Sequence, residues 1–190
     1  MMEKMLGISD GINRFLDRVA MVSGSLFLAT ILVIVFDVLS RKIGFQMPGM
    51  GSTRLQELEW HLHTALFSFW LGVAYVKNSH VRIDVLVANL EPKLKALTEL
   101  FGCVLFAIPY CVLAIYFSFD FAFTALMDNE GSPSSNGLPW RWIPKGIIFI
   151  GLLMLLLGVF SVMMRIVVFL YGPESLRIKS SFGTFRIHEV

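Results

Sequence analysis

The stretch GIIFIGLLMLLLGVFSVMM, from Gly146 to Met164, holds no Asp, Glu, Lys or Arg. Wound as a helix at 1.5 Å per residue it covers about 28 Å, close to the roughly 30 Å of a bilayer's hydrocarbon core. Working outward, three more runs resemble it. Val19 to Phe36 is uncharged and follows Arg14 and Arg18. Trp60 to Val76 lacks Lys, Arg, Asp and Glu, and reaches spanning length when the turn from Leu55 to Glu59 joins it. Leu100 to Phe119 is uncharged and continues past Asp120 to Met127. The apolar residues lie in these long runs and not as one-sided helix stripes or strand alternations, so lipid is the expected solvent.

Composition agrees. The chain has 190 residues, 56% hydrophobic and only 16% charged, with mean hydropathy +0.71, against about 25% charged in a soluble domain. The formal charge of +2 comes from Lys and Arg flanking the apolar runs. That pattern suits lipid headgroups and excludes a nucleic-acid partner. Cys103 and Cys111, eight residues apart, are separated along a helix by about 12 Å, too far to bridge. They are expected to be buried as small apolar groups.

The expected fold class is therefore an all-α membrane protein of four transmembrane helices, with a short interfacial helix between helices two and three. Its parts are a segment 1–18, a membrane domain 19–171 with spans near 19–39, 56–76, 97–127 and 144–168, and a tail 172–190. The first run exceeds a signal-peptide core and lacks a convincing cleavage site, so it reads as a retained span. Orientation follows the asymmetry of Lys and Arg: the N-terminal segment, the middle loop and the tail hold eleven, the other two loops five. Both termini are expected on the cytoplasmic side.

Ile83, Val87, Leu90, Leu94 and Leu97 make one helical stripe in the middle loop. Pro92 is expected to start a helix and Pro109 to kink the third span. The loop DNEGSPSSNGLPWRWIPK, Asp128 to Lys145, is dense in Gly, Pro, Ser and Asn and reads as a turn or loop with Trp140 and Trp142 at the membrane interface. Gly24, Ser25, Ser68 and Gly72 are candidates for close helix approach.

Asp37 and Asp120 are carboxylates within or beside spans, hence candidates for ion handling. The competing reading pairs Asp37 with Arg41 one turn on and leaves both acids hydrated at the interface. Glu57 with His61, and Glu59 with His63, have the i, i+4 spacing that suits a metal or a haem. No further His or Cys falls on that side to complete a zinc site, so capping and polar packing between helices is the stronger reading. The sequence shows no phosphate loop, no nucleophile with base and orienter, and no CxxC pair, so neither an enzyme nor a cofactor is expected.

Two segments carry a family resemblance. LQELEWHLHTALFSFWLGVAYVKNSHVRIDVL, Leu55 to Leu86, resembles the small membrane subunit of tripartite ATP-independent periplasmic (TRAP) transporters, the DctQ family, through its acidic pair, its tryptophan, and the His-Val-Arg-Ile-Asp segment after the helix. EGSPSSNGLPWRWIPKG, Glu130 to Gly146, is similar to the Gly-Leu-Pro, Arg-Trp and Lys stretch of many members. The resemblance implies a small permease subunit in a bacterial inner membrane, serving ion-gradient-driven uptake of an organic acid or similar solute. Its implied partners are a large DctM-type membrane subunit, which carries the transport sites and moves as an elevator, and an extracytoplasmic DctP-type solute-binding protein. The small subunit would widen the stationary scaffold. On this reading the candidate partner-interface residues are Glu57, Glu59 and Trp60 at the outer end of helix two, His80, Arg82 and Asp84 inside, and Leu138, Pro139, Arg141, Trp142 and Lys145 outside. The alternative kept open by His61 and His63 is a haem-binding four-helix anchor of a redox complex.

Overall fold

The computed structural model describes residues 1–45, 47–79 and 90–180. Those residues are helical throughout, apart from short connections and an isolated bridge between Met47 and Met50. Four long helices follow one another: α1 (Met2–Ile43), α2 (Ser52–Val76), α3 (Pro92–Met127) and α4 (Trp142–Tyr171), and a short α5 (Glu174–Arg177) follows. By length and apolar composition α1, α3 and α4 are able to cross a membrane. The expected interfacial helix rests on Ile83 and Val87, which lie outside the described residues. Leu94 and Leu97, from the same stripe, belong to α3.

Three of the helices end by the same device. At the end of α1, Gly44 takes φ 74° while its N–H bonds Arg41 O at 3.3 Å and Phe45 N–H bonds Ser40 O at 2.9 Å. Asn78 after α2 and Asn129 after α3 take φ 53° and 47° with the same pair of backward bonds, Ser79 to Ala74 and Glu130 to Ala125 closing the wider turn at 2.9 Å each. This left-handed cap satisfies carbonyls that the last turn leaves free, and Gly and Asn enter it at the least steric expense.

Pro92 stands at the first position of α3, where a missing N–H removes no bond. From Cys103 to Ala107 the helix widens into a π turn, closed by Ile108 N–H on Cys103 O. Pro109 stands two residues past the turn's last residue, and its lack of an N–H together with its ring bulk opposes regular α bonding to Leu105. Helix α4 begins at Trp142, so Trp142 and Lys145 are helical and the loop is shorter than the sequence suggests. Pro144 explains the difference: it is the third helical residue, in the turn whose N–H groups have no partner anyway.

The chain divides into two compact units. One comprises Met1–Arg18, Leu71–Leu113 and Leu153–Val190; the other comprises Val19–Trp70 and Ala114–Leu152. In the first, Ala96, Val162 and Ile166 form a buried cluster flanked by Tyr75, Leu100 and Phe169. Backbones approach closely there: a Cβ added to Gly72 would lie 2.5 Å from Met154 O, and one on Gly158 2.8 Å from Gly72 O. Ser9 and Ser161 hydroxyls bond at 2.8 Å, Ser161 donates to Asn13 Oδ1 at 2.6 Å, and Arg165 donates to Ser9 and pairs with Asp10. Lys77 pairs with Asp17 at 2.6 Å, and the Tyr75 hydroxyl bonds Cys103 Sγ at 3.2 Å. Both cysteines are buried thiols that form no disulfide among the described residues.

In the second unit a Cβ on Gly151 would lie 2.6 Å from Ser68 O, and Trp70 Nε1 donates to Ala20 O at 3.1 Å. Of the four expected close-approach positions, Gly72 and Ser68 serve as such. Gly24 only meets the Trp70 ring at an ordinary 3.8 Å, and Ser25 is exposed and bonds Val22 O of its own helix. Gly151 and Gly158, which do the corresponding work on α4, are the positions the sequence reading passed over.

One regularity concerns all four helices separately. The charge-free stretch runs from Arg18 to Asp37 in α1, from Glu59 in α2 to Lys77 just past its end, from Glu99 to Asp120 in α3, and from Lys145 to Arg165 in α4. At 1.5 Å per residue these are about 28, 27, 32 and 30 Å.

Candidate functional site: a loop clamped on the second helix

The second unit gathers most of the described candidate residues around Glu57. Position 57 lies in the second turn of α2, and its side chain is only 11% exposed. One carboxylate oxygen accepts the Ser132 hydroxyl and the other accepts the Leu138 N–H. Arg141 Nη2 stands 3.7 Å from the same carboxylate. Three donors from the loop 128–141 therefore converge on one acid. The loop's small residues permit this: a Cβ on Gly137 would lie 2.7 Å from Glu57 Oε2, so only glycine lets the backbone come this close.

The loop is ordered by its own bonds as well. Ser132 N–H bonds Leu138 O at 3.1 Å, Ser134 N–H bonds the Ser132 hydroxyl at 3.1 Å, and Gly137 N–H bonds Ser134 O at 3.0 Å. Its two ends are joined by Arg141 N–H on Glu130 O at 2.9 Å and by the ion pair of Lys145 with Glu130. Lys145 Nζ also lies 3.7 Å from the centre of the Phe121 ring. Trp140 takes φ +64°, a conformation unfavourable for a bulky side chain, and its ring is exposed.

Trp60 joins this cluster through Arg141, whose guanidinium carbon is 5.8 Å from its ring centre, and lies 3.9 Å from the His61 ring. His61 Nδ1 meets Glu57 O at 2.5 Å, and the His63 ring lies 6.0 Å from Phe67. The structure thus brings together Glu57, Trp60, Leu138, Arg141 and Lys145. Glu59 stands apart: its Oε1 is buried without a hydrogen bond among the described residues. Pro139 is exposed, and Trp142 half-buried in the first turn of α4. His80, Arg82 and Asp84 lie outside the described residues. Ser132, Gly137 and Glu130 complete the clamp, and in the sequence they show only as turn-forming residues.

The two membrane carboxylates differ. Asp37 is 0% exposed, pairs with Arg41 at 2.6 Å within its own helix and accepts Ser52 Oγ at 3.0 Å, which ties the start of α2 to α1. This is the pairing reading, extended by a second partner. Asp120 is exposed and has no ion pair or hydrogen bond among the described residues.

Chemically, the Glu57 cluster is a clamp: one carboxylate neutralised by three donors of a single loop, with all its reactive capacity spent on holding that loop. Among the described residues no group of three or more His, Cys, Asp or Glu is placed to hold a metal.

A chain of long apolar helices, joined by a connection bonded to a helix-borne acid, belongs to the class of helical membrane proteins. Its family is more specific: residues 30–170 match the DctQ component of tripartite ATP-independent periplasmic transporters, and the chain belongs to that family. It is thus a membrane component of a transporter that associates with other components of the system. No curated protein and no solved structure gave a match.

Proposed function

We propose that this chain is the small permease subunit of a TRAP transporter, a stationary scaffold beside a large elevator-type DctM-type subunit, in ion-gradient-driven uptake of an organic acid or similar solute delivered by a DctP-type binding protein. The observation that carries it is the family match across residues 30–170. Four spans across a bacterial inner membrane, both termini cytoplasmic, accord with the near-equal charge-free lengths of the four helices and with the Lys and Arg asymmetry. The second helix counts as a span on that length, although its first turns are polar.

The candidate interface comprises Glu57, Glu59, Trp60, Leu138, Pro139, Arg141, Trp142 and Lys145 at the extracytoplasmic end and His80, Arg82 and Asp84 at the other. The clamp supports a binding role for the outer group: a loop held by one acid and presenting Trp140 and Pro139 offers a docking surface that loses little freedom on binding. The haem-anchor alternative has no support, since the family is a transporter component.

The test is affinity purification of the tagged chain from native membranes in mild detergent, with mass spectrometry of what accompanies it. Recovery of a large permease of about twelve helices is the expected result. Its absence, with a redox partner in its place, overturns the reading.

A further inference from the structure

On α3, Tyr116, Phe117, Asp120, Phe123 and Met127 succeed one another at spacings of one, three and four, which puts them on one helix face. The face is open: Tyr116 is 68% exposed, Phe117 63%, Phe123 48% and Met127 61%. Of the other acids at this end of the second unit, Asp37 is held by Arg41 and Ser52, Glu57 by the loop and Glu130 by Lys145, while Glu59 keeps one buried oxygen without a hydrogen bond among the described residues and Asp128 is exposed beyond the helix. Asp120 has no such partner among the described residues, although it stands amid exposed aromatic rings.

Lipid alone does not account for this face. Asp120 closes the charge-free stretch of α3, so it marks the edge of the hydrocarbon. The headgroup zone beyond that edge is about 5–7 Å deep on each side. Met127 lies seven residues further along the helix, about 10 Å past the acid. Phe123, Leu126 and Met127 are all exposed in that interval, where lipid would meet them with headgroups or water. Exposed aromatic and Met side chains around an unpaired charge are the composition of a protein-binding surface, and the carboxylate specifies a cation opposite it.

We propose that this face of α3 packs against a helix of a partner membrane subunit that sets an Arg or Lys against Asp120. The proposal rests on the reading of the chain as one of two membrane subunits. It locates the contact on α3 and not on α1, whose acid at the same end of its charge-free stretch is buried and already paired.

The test places a photo-cross-linking amino acid at Phe117 or Phe123 of the tagged chain in its native membrane, with Leu28 and Leu32, exposed positions of α1, as comparison sites. Each is repeated with Asp120→Lys and Asp120→Glu. The expected result is a product with a multi-span membrane protein from both α3 positions, falling at least about tenfold with Asp120→Lys because two cations then face each other, and largely retained with Asp120→Glu. Membrane levels of the variants serve as the control for folding. Labelling of lipid only, from a chain that still copurifies the large permease, overturns this inference and leaves the proposed function standing. So does a product with a second copy of the chain, with a soluble protein, or with the permease at a yield Asp120→Lys does not change. Failure of the wild-type chain to copurify any large membrane component removes both.

Discussion

Replacing Glu57 by alanine removes the acceptor for the Ser132 hydroxyl and the Leu138 N–H, and strands Arg141 beside Trp60. Hydrogen bonds to a charged group contribute about 1.5–3 kcal/mol each, so the two together hold the loop by about 3–6 kcal/mol. The Arg141 ion pair, longer at 3.7 Å and with its guanidinium side chain 28% exposed, adds at most about 1 kcal/mol. Leu138 is only half-buried, so water repairs part of the loss once the carboxylate is gone, and the lower end of the range applies. A loss of about 3 kcal/mol multiplies the open population of the loop by about a hundred, at 1.4 kcal/mol per tenfold. Amide hydrogen exchange in nanodiscs reads this directly. The N–H groups of Ser132, Leu138 and Arg141 are expected to exchange about a hundredfold faster in Glu57→Ala, while the helical amides near Leu156 keep their protection. Glu57→Gln retains one acceptor oxygen and is expected to give about a tenfold change. Exchange at Leu138 and Ser132 within about twofold of wild type in Glu57→Ala would refute the clamp.

Gly137→Ala should open the same loop with Glu57 intact, because the new Cβ falls 2.7 Å from its carboxylate; unchanged exchange would sink that account. Gly72→Ala sets a methyl 2.5 Å from the Met154 carbonyl and is expected to destabilise the detergent-solubilised protein by about 1–3 kcal/mol, read as a lowered thermal midpoint. Gly11→Ala meets nothing within 4 Å on α1 and should raise stability by about 0.5–1 kcal/mol through helix propensity alone. Trp70→Phe removes the indole donor to Ala20 O and should cost about 1 kcal/mol, with an unchanged midpoint counting against a structural role for that bond.

Much of the fold was legible because lipid imposes a simple rule: backbone polar groups must be satisfied within a helix and side chains must be apolar for about twenty residues. That rule finds α1, α3 and α4 without ambiguity. It is weaker for α2, where Glu57, Glu59, His61 and His63 interrupt the apolar pattern, and the structure shows why they are there. Glu57 holds the loop, its carbonyl receives His61, and Trp60 carries Arg141. The candidate list had the acid, the tryptophan and the arginine because they are unusual residues in such a place. It lacked Ser132, Gly137 and Glu130 because turn residues look alike in a sequence until the acceptor they reach is known. The helix ends at Asn78 and Asn129 escaped for a similar reason: an asparagine signals a left-handed cap only once the preceding helix has been followed to its last turn.

The same contrast bears on how such a subunit stays rigid. Between membrane helices the hydrophobic effect that drives association in water is absent, and packing and polar contacts must take its place. Each unit of this chain has both, in different proportion. The unit containing the N-terminus combines Gly72 and Gly158 with a chain of bonds linking Asn13, Ser161, Ser9 and Arg165. The other has the Gly151 and Ser68 approach, a Trp70 bond, and then a charged clamp on a loop that would otherwise be free. Its satisfied acids, Asp37, Glu57 and Glu130, each link one part of the backbone to another, while Glu59 keeps one buried oxygen without a hydrogen bond among the described residues. Asp120, which closes the charge-free stretch of α3 in that unit, is instead exposed among aromatic side chains with no ion pair or hydrogen bond among the described residues, a placement that suits the contact with a cationic partner helix proposed above.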